Sequence, residues 1–211
     1  IHIAEQTKEV DDCIACSSKR PVEWLLDNND VTAQWCLVHA THMTDAETRA
    51  LAQSKAVAGL CPITEANLGD GIFPAPEFFG AGGRFGVGSD SNVLINAAEE
   101  LRLLEYGQRL KHRGRNILAH SQGRATGADL YSGALRGGAQ ALGVSKPGFQ
   151  LGAAADIVSL DAQHPALASR RGDEILDSLI FAARSGAVDC VWRHGRRVVA
   201  QGRHIARAEI T

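Results

Sequence analysis

The sequence predicts an α/β fold in which short strands alternate with helices around a parallel sheet. Three observations support this prediction. Short apolar runs recur over residues 1–90, helical patterns separate them, and several runs end in a polar residue that can carry chemistry. Strand–helix alternation is typical of parallel sheets, and functional residues collect at the carboxyl ends of strands in parallel barrels.

Four candidate strands lead up to Asp90. They are rich in apolar and β-branched residues, which is the pattern expected of buried strands. They comprise residues 1–5, 35–40, 57–63 and 84–90. A complete (β/α)8 TIM-type barrel needs eight strands and about 250 residues, so these four strands predict half of such a barrel.

Helical patterns occupy the intervals between the strands and continue beyond the fourth strand. Thr44 followed by Glu47 is the signature of a capping box at the start of a helix. A long loop rich in Gly and Pro is expected over residues 64–77. The other predicted helical segments are 7–28, interrupted before Pro21, then 96–112 and 127–142.

The pattern changes after residue 143, where a smaller β unit is predicted. A strand over 155–160 precedes a short helix over 173–183, and two strands flank the dipeptide His194-Gly195. Such a dipeptide suits a two-residue hairpin turn, because Gly tolerates a positive φ. We therefore predict barrel units over residues 1–148 and strands of a small β-sandwich over residues 149–211.

Composition excludes several classes of protein. The 211 residues carry a formal net charge of −2 and 45% apolar residues, which predicts no attraction to nucleic acid. No apolar run approaches the roughly 20 residues that span a bilayer, so no membrane partner is expected. Five cysteines are an odd number for a disulfide framework. They indicate a reducing compartment, and hence the cytoplasm.

The main chemical cluster consists of His2, Glu5, His39 and Asp90, which stand at or near the ends of three candidate strands. Imidazole and carboxylate groups suit Zn²⁺, with tolerance for Fe or Mn. A bound metal ion brings the pKa of water towards about 7, and an adjacent carboxylate can carry protons to a leaving group. Taken singly, each residue has an ordinary structural explanation, such as a helix cap or a hydrogen-bonded strand end.

Five segments resemble the deaminase branch of the amidohydrolase superfamily. Residues 2–5, 38–40 and 88–91 are similar to that family's fifth-, sixth- and eighth-strand motifs. Residues 152–158 and 191–199 resemble the return to its β-sandwich and the closing hairpin. The resemblance implies the C-terminal half of a (β/α)8 barrel followed by strands of a small β-sandwich.

The resemblance also implies roles for the site residues. His2 and Asp90 would bind one Zn²⁺ per protomer, and Asp90 would accept a proton from the attacking water. Glu5 would carry protons to the departing nitrogen, and His39 would hydrogen-bond the hydroxide. The family's first-strand His-x-His pair is absent, and Ile1 is not a starting Met. We therefore expect that the chain needs an N-terminal half of its own protein to complete the site, and that alone it is inactive.

Residues 64–74 resemble the formimidoylglutamate deiminases within that family. This implies a small-molecule substrate, N-formimidoyl-L-glutamate, which is hydrolysed to N-formyl-L-glutamate and ammonia in histidine degradation, and a homodimeric enzyme. Glu65, Asn67 and Asp70 are candidate groups for substrate binding. His42, three residues after His39, could reach the same site, although a supporting or loop position is the expected one.

Three alternatives remain open at this point. The first is another deaminase of the same family, of the guanine or nucleobase type. The second is a serine hydrolase that uses Ser121 in an Ala-His-Ser-Gln-Gly sequence resembling a nucleophile elbow. In that case an Asp at 156 or 161 and a His at 164 or 194 follow in α/β-hydrolase order. The third is a domain that binds no metal and catalyses nothing.

Overall fold

The computed structural model describes residues 1–120 and 125–210. They form two compact units, Ile1–Ser145 and Lys146–Thr211. The boundary in the structure follows Ser145, whereas the sequence pattern predicted it after residue 148.

The first unit is built on a parallel sheet with strand order β1-β2-β3-β4. Helices separate the strands along the chain, as the alternation predicted. The strands are β1 (His2–Ile3), β2 (Cys36–His39), β3 (Val57–Leu60) and β4 (Arg84–Val87). The helices are α1 (Thr7–Ser17), α2 (Pro21–Asn28), α3 (Asp45–Ser54), α4 (Pro62–Leu68), α5 (Ala75–Gly80), α6 (Ala97–His112) and α7 (Thr126–Ala141).

The strands of this sheet are short, and β2 and β3 are largely buried. Leu37, Val57 and Leu60 are fully buried, as expected of parallel strands enclosed by helices. The predicted capping box is present at α3, where the Glu47 amide donates to Thr44 Oγ1 at 3.2 Å and the Thr44 amide donates to Glu47 Oε2 at 2.8 Å. The side chain of Asn96 caps α6 by accepting from the Ala98 amide at 2.9 Å.

The segment after β3 differs from the predicted loop, because it contains helices α4 and α5. Pro62 occupies the first turn of α4, where its missing N–H costs nothing, and Gly69 ends that helix at φ 77°. Phe73 and Phe78 are buried, with ring centroids 5.3 Å apart. This aromatic pair anchors the segment to the unit, so Gly and Pro here start and end helices instead of forming one open loop.

Helix α7 packs closely against strand β4 because glycine residues stand at the contact. A Cβ built on Gly137 would stand 1.9 Å from the Phe85 carbonyl oxygen, and one built on Gly86 would stand 3.1 Å from the Gly138 Cα. A Cβ on Gly138 itself would meet no atom within 4 Å. Gly137 therefore sets how closely the helix and the sheet approach each other.

The second unit is an antiparallel sheet with strand order β5-β6-β7-β8. Its strands are β5 (Ile157–Leu160), β6 (Val188–Arg193), β7 (Arg196–Ala200) and β8 (Arg203–His204), and its helices are α8 (Glu174–Phe181) and α9 (Arg207–Ile210). The predicted hairpin turn is present, with φ of 48° at His194 and 77° at Gly195. Leu167, Ala183 and Ala187 form a small apolar core.

All five cysteines carry free thiols. In the part of the chain that the structure describes, every helix is too short or too polar to cross a bilayer.

The close approach at α7 yields a stability prediction with an internal control. We expect Gly137→Ala to lower the free energy of unfolding by about 2–3 kcal/mol, because the new methyl group forces α7 away from β4. Gly138→Ala adds the same methyl group where there is space, and it should leave stability unchanged or raise it by up to about 1 kcal/mol through helix propensity. Chemical denaturation of both variants measures the difference, and equal effects would contradict this account of the packing.

Candidate metal and catalytic site

The carboxyl edge of the parallel sheet gathers the predicted chemical residues. His2 lies in β1 and His39 is the last residue of β2, and the backbone pairing sets Ile3 beside His39. Asp90 follows β4, two strands away from β2. Because the strands are parallel, all their carboxyl ends meet at one edge, and residues far apart in sequence become neighbours.

His2, His39 and Asp90 form a compact group of nitrogen and oxygen donors. His2 Nε2 lies 3.5 Å from Asp90 Oδ1, and His39 Nε2 lies 3.9 Å from Asp90 Oδ2. One donor atom from each of the three residues falls within 4.8 Å of the others. Two ligands bound tetrahedrally to one Zn²⁺ at about 2.0–2.1 Å stand roughly 3.3 Å apart, which the His2–Asp90 separation approaches. The donor set therefore fits a divalent metal ion.

Glu5 lies at the side of this group, where β1 leaves the sheet. Its Oε1 is 3.7 Å from His39 Nε2. Partial burial raises the pKa of the Glu5 carboxyl, and the neighbouring Asp70 and Asp90 carboxylates raise it further, although His39 opposes them. A carboxyl group that holds its proton more tightly than usual is suited to proton transfer.

Glu9 at the start of α1 fixes the backbone that carries Glu5. The amide of Ala4 donates to Glu9 Oε1 at 2.7 Å, and the amide of Glu5 donates to Glu9 Oε2 at 2.9 Å. Sequence reasoning missed this residue. Nothing in the spacing distinguishes it from any acidic residue in a first helical turn.

Non-glycine residues with positive φ mark the points where the chain turns out of the sheet. Ala4 has φ 50°, His39 has φ 68° and Asp90 has φ 40°. The left-handed region costs an L-residue about 1–2 kcal/mol, and such strain is concentrated at functional sites. Two backbone hydrogen bonds to the β1 segment hold the turn at the end of β2. The Ala40 amide donates to the Ile3 carbonyl at 3.0 Å, and the His42 amide donates to the Ala4 carbonyl at 3.0 Å.

His39 is the most enclosed member of the site. Its side chain is completely buried, its Nδ1 lies 3.3 Å from Glu65 Oε1, and its Nε2 has no hydrogen-bond partner among the described residues. Burial alone would lower the pKa of His39. The hydrogen bond to Glu65 and the carboxylates of Glu5 and Asp90 outweigh this effect, so the pKa is raised.

The structure separates the three candidate substrate-binding residues. Glu65 is 3% exposed and directed at His39. Asn67 is exposed and lines a groove on α4 and α6, together with Ile63 and Tyr106. Asp70 is buried beside Glu5, and its Oδ2 has no partner among the described residues. Asp70 is thus the member of this trio that lies beside Glu5 and has one carboxylate oxygen, Oδ2, without a hydrogen-bond partner among the described residues.

His42 makes structural contacts next to the site. Its ring Nε2 lies 2.7 Å from the Asp70 carbonyl oxygen. Arg20 donates through Nη2 to the His42 carbonyl at 2.7 Å and forms an ion pair with Glu47 at 2.8 Å. His42 therefore connects the exit of β2 to the segment that carries Asp70.

Two of the residues considered for a serine hydrolase, Asp156 and His164, make other contacts. Ser121 lies outside the described residues. Asp156 accepts from Arg193 Nη1 at 2.8 Å and from the His194 amide at 2.7 Å, so it braces the hairpin. The His164 ring contacts the Ser185 carbonyl at 3.0 Å. These contacts give no support to a catalytic triad.

Comparison with known proteins agrees with this geometry. The Amidohydrolase family profile matches residues 1–198. A formimidoylglutamate deiminase of Pseudomonas aeruginosa is 54% identical over 204 residues, which are 97% of this chain and 45% of that protein.

Two crystal structures extend the comparison. An amidohydrolase from Brucella melitensis matches with a TM-score of 0.94 and 58% identity, over 99% of this chain and 46% of that one. An adenosine deaminase from Xanthomonas campestris with bound zinc matches with a TM-score of 0.84 and 26% identity, over 97% and 46% of the two chains. The chain thus spans about half the length of the relatives it matches.

A buried carboxylate beneath the site yields a prediction on pH. Glu100 is 2% exposed, and its Oε2 accepts from the Ile63 amide at 2.9 Å at the start of α4. Burial raises the pKa of Glu100 from 4.5 to about 7. The unfolded chain ionises this group at lower pH than the folded chain does. The carboxyl therefore destabilises the fold increasingly as pH rises from about 4.5 to about 7, and by a constant amount above that.

We expect Glu100→Gln to remove this penalty while Gln still accepts from the Ile63 amide. The stability of the variant relative to the original chain should rise between pH about 4.5 and about 7, by at most about 3 kcal/mol. Chemical denaturation at a series of pH values measures it. A stability difference that stays constant across this window would show that the Glu100 pKa is not raised.

Proposed function

The chain belongs to the amidohydrolase family, and from that membership we propose that it forms part of a metal-dependent deiminase. The proposed reaction is hydrolysis of N-formimidoyl-L-glutamate to N-formyl-L-glutamate and ammonia, a step of histidine degradation. The observation that carries the proposal is the convergence of His2, His39 and Asp90 within 4.8 Å, beside the acid Glu5. The 54% identity to a formimidoylglutamate deiminase supports the choice of substrate.

In this proposal His2 and Asp90 hold the metal ion, which we take to be one Zn²⁺ per protomer. A bound ion of this kind lowers the pKa of water towards about 7 and so supplies a nucleophile at neutral pH. His2 and Asp90 leave a tetrahedral ion short of protein ligands. We propose that residues beyond these 211 complete the coordination, which agrees with the chain covering about half of its relatives.

In this proposal Asp90 and His39 act on the attacking water. Asp90 Oδ1 faces His2, while Asp90 Oδ2 faces His39 Nε2 at 3.9 Å. The second carboxylate oxygen is therefore available to take a proton from water as its oxygen bonds to the formimidoyl carbon. His39 Nε2 has no other partner among the described residues, and it can hydrogen-bond the oxygen that the carbon receives.

Glu5 completes the reaction at the leaving nitrogen. As the bond between the formimidoyl carbon and its terminal nitrogen breaks, that nitrogen needs a proton to depart as ammonia. Partial burial raises the pKa of the Glu5 carboxyl, and in its protonated form this group can donate to the departing nitrogen. Asp70 beside it offers a free buried oxygen, which suits the positive charge of an amidine.

A second candidate function is deamination of a nucleoside or nucleobase. The similarity to an adenosine deaminase favours it, at 26% identity. The residues at the strand ends do not discriminate between these substrates, because they act on the water and the departing nitrogen in every case. The aromatic side chains of the α4–α5 segment would have to stack a base, but Phe73 and Phe78 are buried against each other.

The residues assigned to metal binding and to proton transfer should respond differently to substitution. We expect Glu5→Gln to lower kcat by at least about 10²-fold, the scale for loss of an acid–base group, while the metal content is retained. Asp90→Ala should lose both metal and activity, and Ser121→Ala should change neither. Metal analysis and steady-state kinetics on the intact protein measure both effects. Loss of turnover in Ser121→Ala with normal turnover in Glu5→Gln would establish the serine-hydrolase mechanism instead.

The substrate is tested by ammonia release from the intact, metal-loaded protein. We expect kcat/KM to be higher for N-formimidoyl-L-glutamate than for guanine, adenosine or cytosine, because Asp70 offers a carboxyl group to the amidine while Phe73 and Phe78 are buried and cannot stack a base. A higher kcat/KM for a nucleobase would leave the family and the metal site standing, but it would overturn the assignment of the substrate.

A further inference from the structure

We propose that Glu65 is a positioning residue for His39, which rests on the proposed function because His39 acts on the water in that reaction. The Glu65 carboxylate accepts the Nδ1–H of His39 and thereby fixes the orientation of the ring. In the neutral ring Nε2 is then the unprotonated nitrogen, and it is this atom that faces Glu5 and Asp90. This role replaces direct substrate binding as the function of Glu65.

The Glu65 carboxylate is itself held in place. Glu65 lies in α4, which begins directly after β3, and its Oε1 accepts from the Cys61 amide at 3.1 Å. The same oxygen lies 3.3 Å from His39 Nδ1. An ionised carboxylate has no proton to donate. The Nδ1 nitrogen must therefore carry the hydrogen of this contact whenever Glu65 is charged.

Burial makes the orientation of the ring matter. Both His39 and Glu65 are almost fully buried, at 0% and 3% exposure, so water cannot substitute for a lost partner. Without Glu65, either ring nitrogen of His39 could carry the proton, and the ring could rotate to exchange them. Which nitrogen is protonated is normally set by the partner of the other one. Glu65 is the described residue whose side chain bonds His39 Nδ1.

The geometry does not suit Glu65 for substrate binding. Its carboxylate points into the protein between Cys61 and His39, whereas Asp70 has a free oxygen next to Glu5. A purely structural role, in which Glu65 only ties α4 to the end of β3, makes a different prediction. It requires no effect on the protonation of His39.

Two substitutions at Glu65 separate these roles in the intact protein. Glu65→Gln keeps an oxygen that accepts from Nδ1, and Glu65→Leu removes the acceptor at similar volume. Nitrogen NMR of the ¹⁵N-histidine-labelled, metal-free protein reports the tautomer, and His39→Asn identifies the His39 signals. We expect neutral His39 protonated at Nδ1 in the original chain and in Glu65→Gln, and a mixture of tautomers in Glu65→Leu.

Kinetics of the metal-loaded protein provide the second measurement. We expect Glu65→Leu to lower kcat about 10–100-fold, the scale for residues that orient a ligand or catalytic group, with KM changed less than about twofold and metal retained. Glu65→Gln should recover most of that loss. Glu100→Gln removes a comparably buried carboxylate beside α4, and it should change neither kcat nor the His39 signals.

Each outcome decides the proposal. An unchanged His39 tautomer in Glu65→Leu overturns it. A raised KM with unchanged kcat in the same variant also overturns it, because that result would indicate that Glu65 binds the substrate. If Glu65→Leu does not fold, a His39 protonated at Nε2 in the original chain overturns it equally. The NMR result does not depend on the substrate. Failure to hydrolyse formimidoylglutamate would therefore reject the proposed function while leaving the His39–Glu65 pairing to be judged separately.

Discussion

Parallel pairing of β1, β2, β3 and β4 is the constraint on which the site depends. Antiparallel neighbours would send alternate strand ends to opposite edges, and His2, His39 and Asp90 could not meet. With all strands parallel, residues separated by most of the first unit come within 4.8 Å of one another. Helix α7 packs at Gly137 against β4, the strand that Asp90 follows.

Glu9 and Glu65 fix groups at the sheet edge, and Glu100 holds the start of α4 beneath it. Glu9 accepts two amides where β1 ends, Glu65 contacts the Cys61 amide and His39, and Glu100 accepts the Ile63 amide at the start of α4. Burying a charge is costly unless it is hydrogen-bonded, and the raised pKa of Glu100 is the sign of that cost. The two bonds to Glu9 fix the backbone at Ala4, which has a positive φ of 50°.

In the proposed function, reaction chemistry and substrate choice belong to different parts of the first unit. The strand-end residues would act on water and on a departing nitrogen, so the same set could serve deaminases with unrelated substrates. The segment from α4 to α5 contributes Glu65 and Asp70, and its buried phenylalanines leave little surface for stacking a base. This division is consistent with similarity both to a formimidoylglutamate deiminase and to an adenosine deaminase.

Local patterns in the sequence determined the α/β class, the family, the capping box at Thr44 and the hairpin turn at His194-Gly195. They also selected His2, Glu5, His39 and Asp90 as candidate site residues, which the structure brings to one edge of the sheet. Each of these depends on neighbours in sequence or on a short motif. Tertiary structure alone decided that residues 64–77 form parts of two helices, because that depends on burying Phe73 and Phe78. It also decided that Glu65 faces His39 while Asn67 faces away, and that Glu9 supports Glu5. Such contacts join residues through the orientation of helices against the sheet, and the direction in which a buried side chain points is set by that packing and not by spacing along the chain.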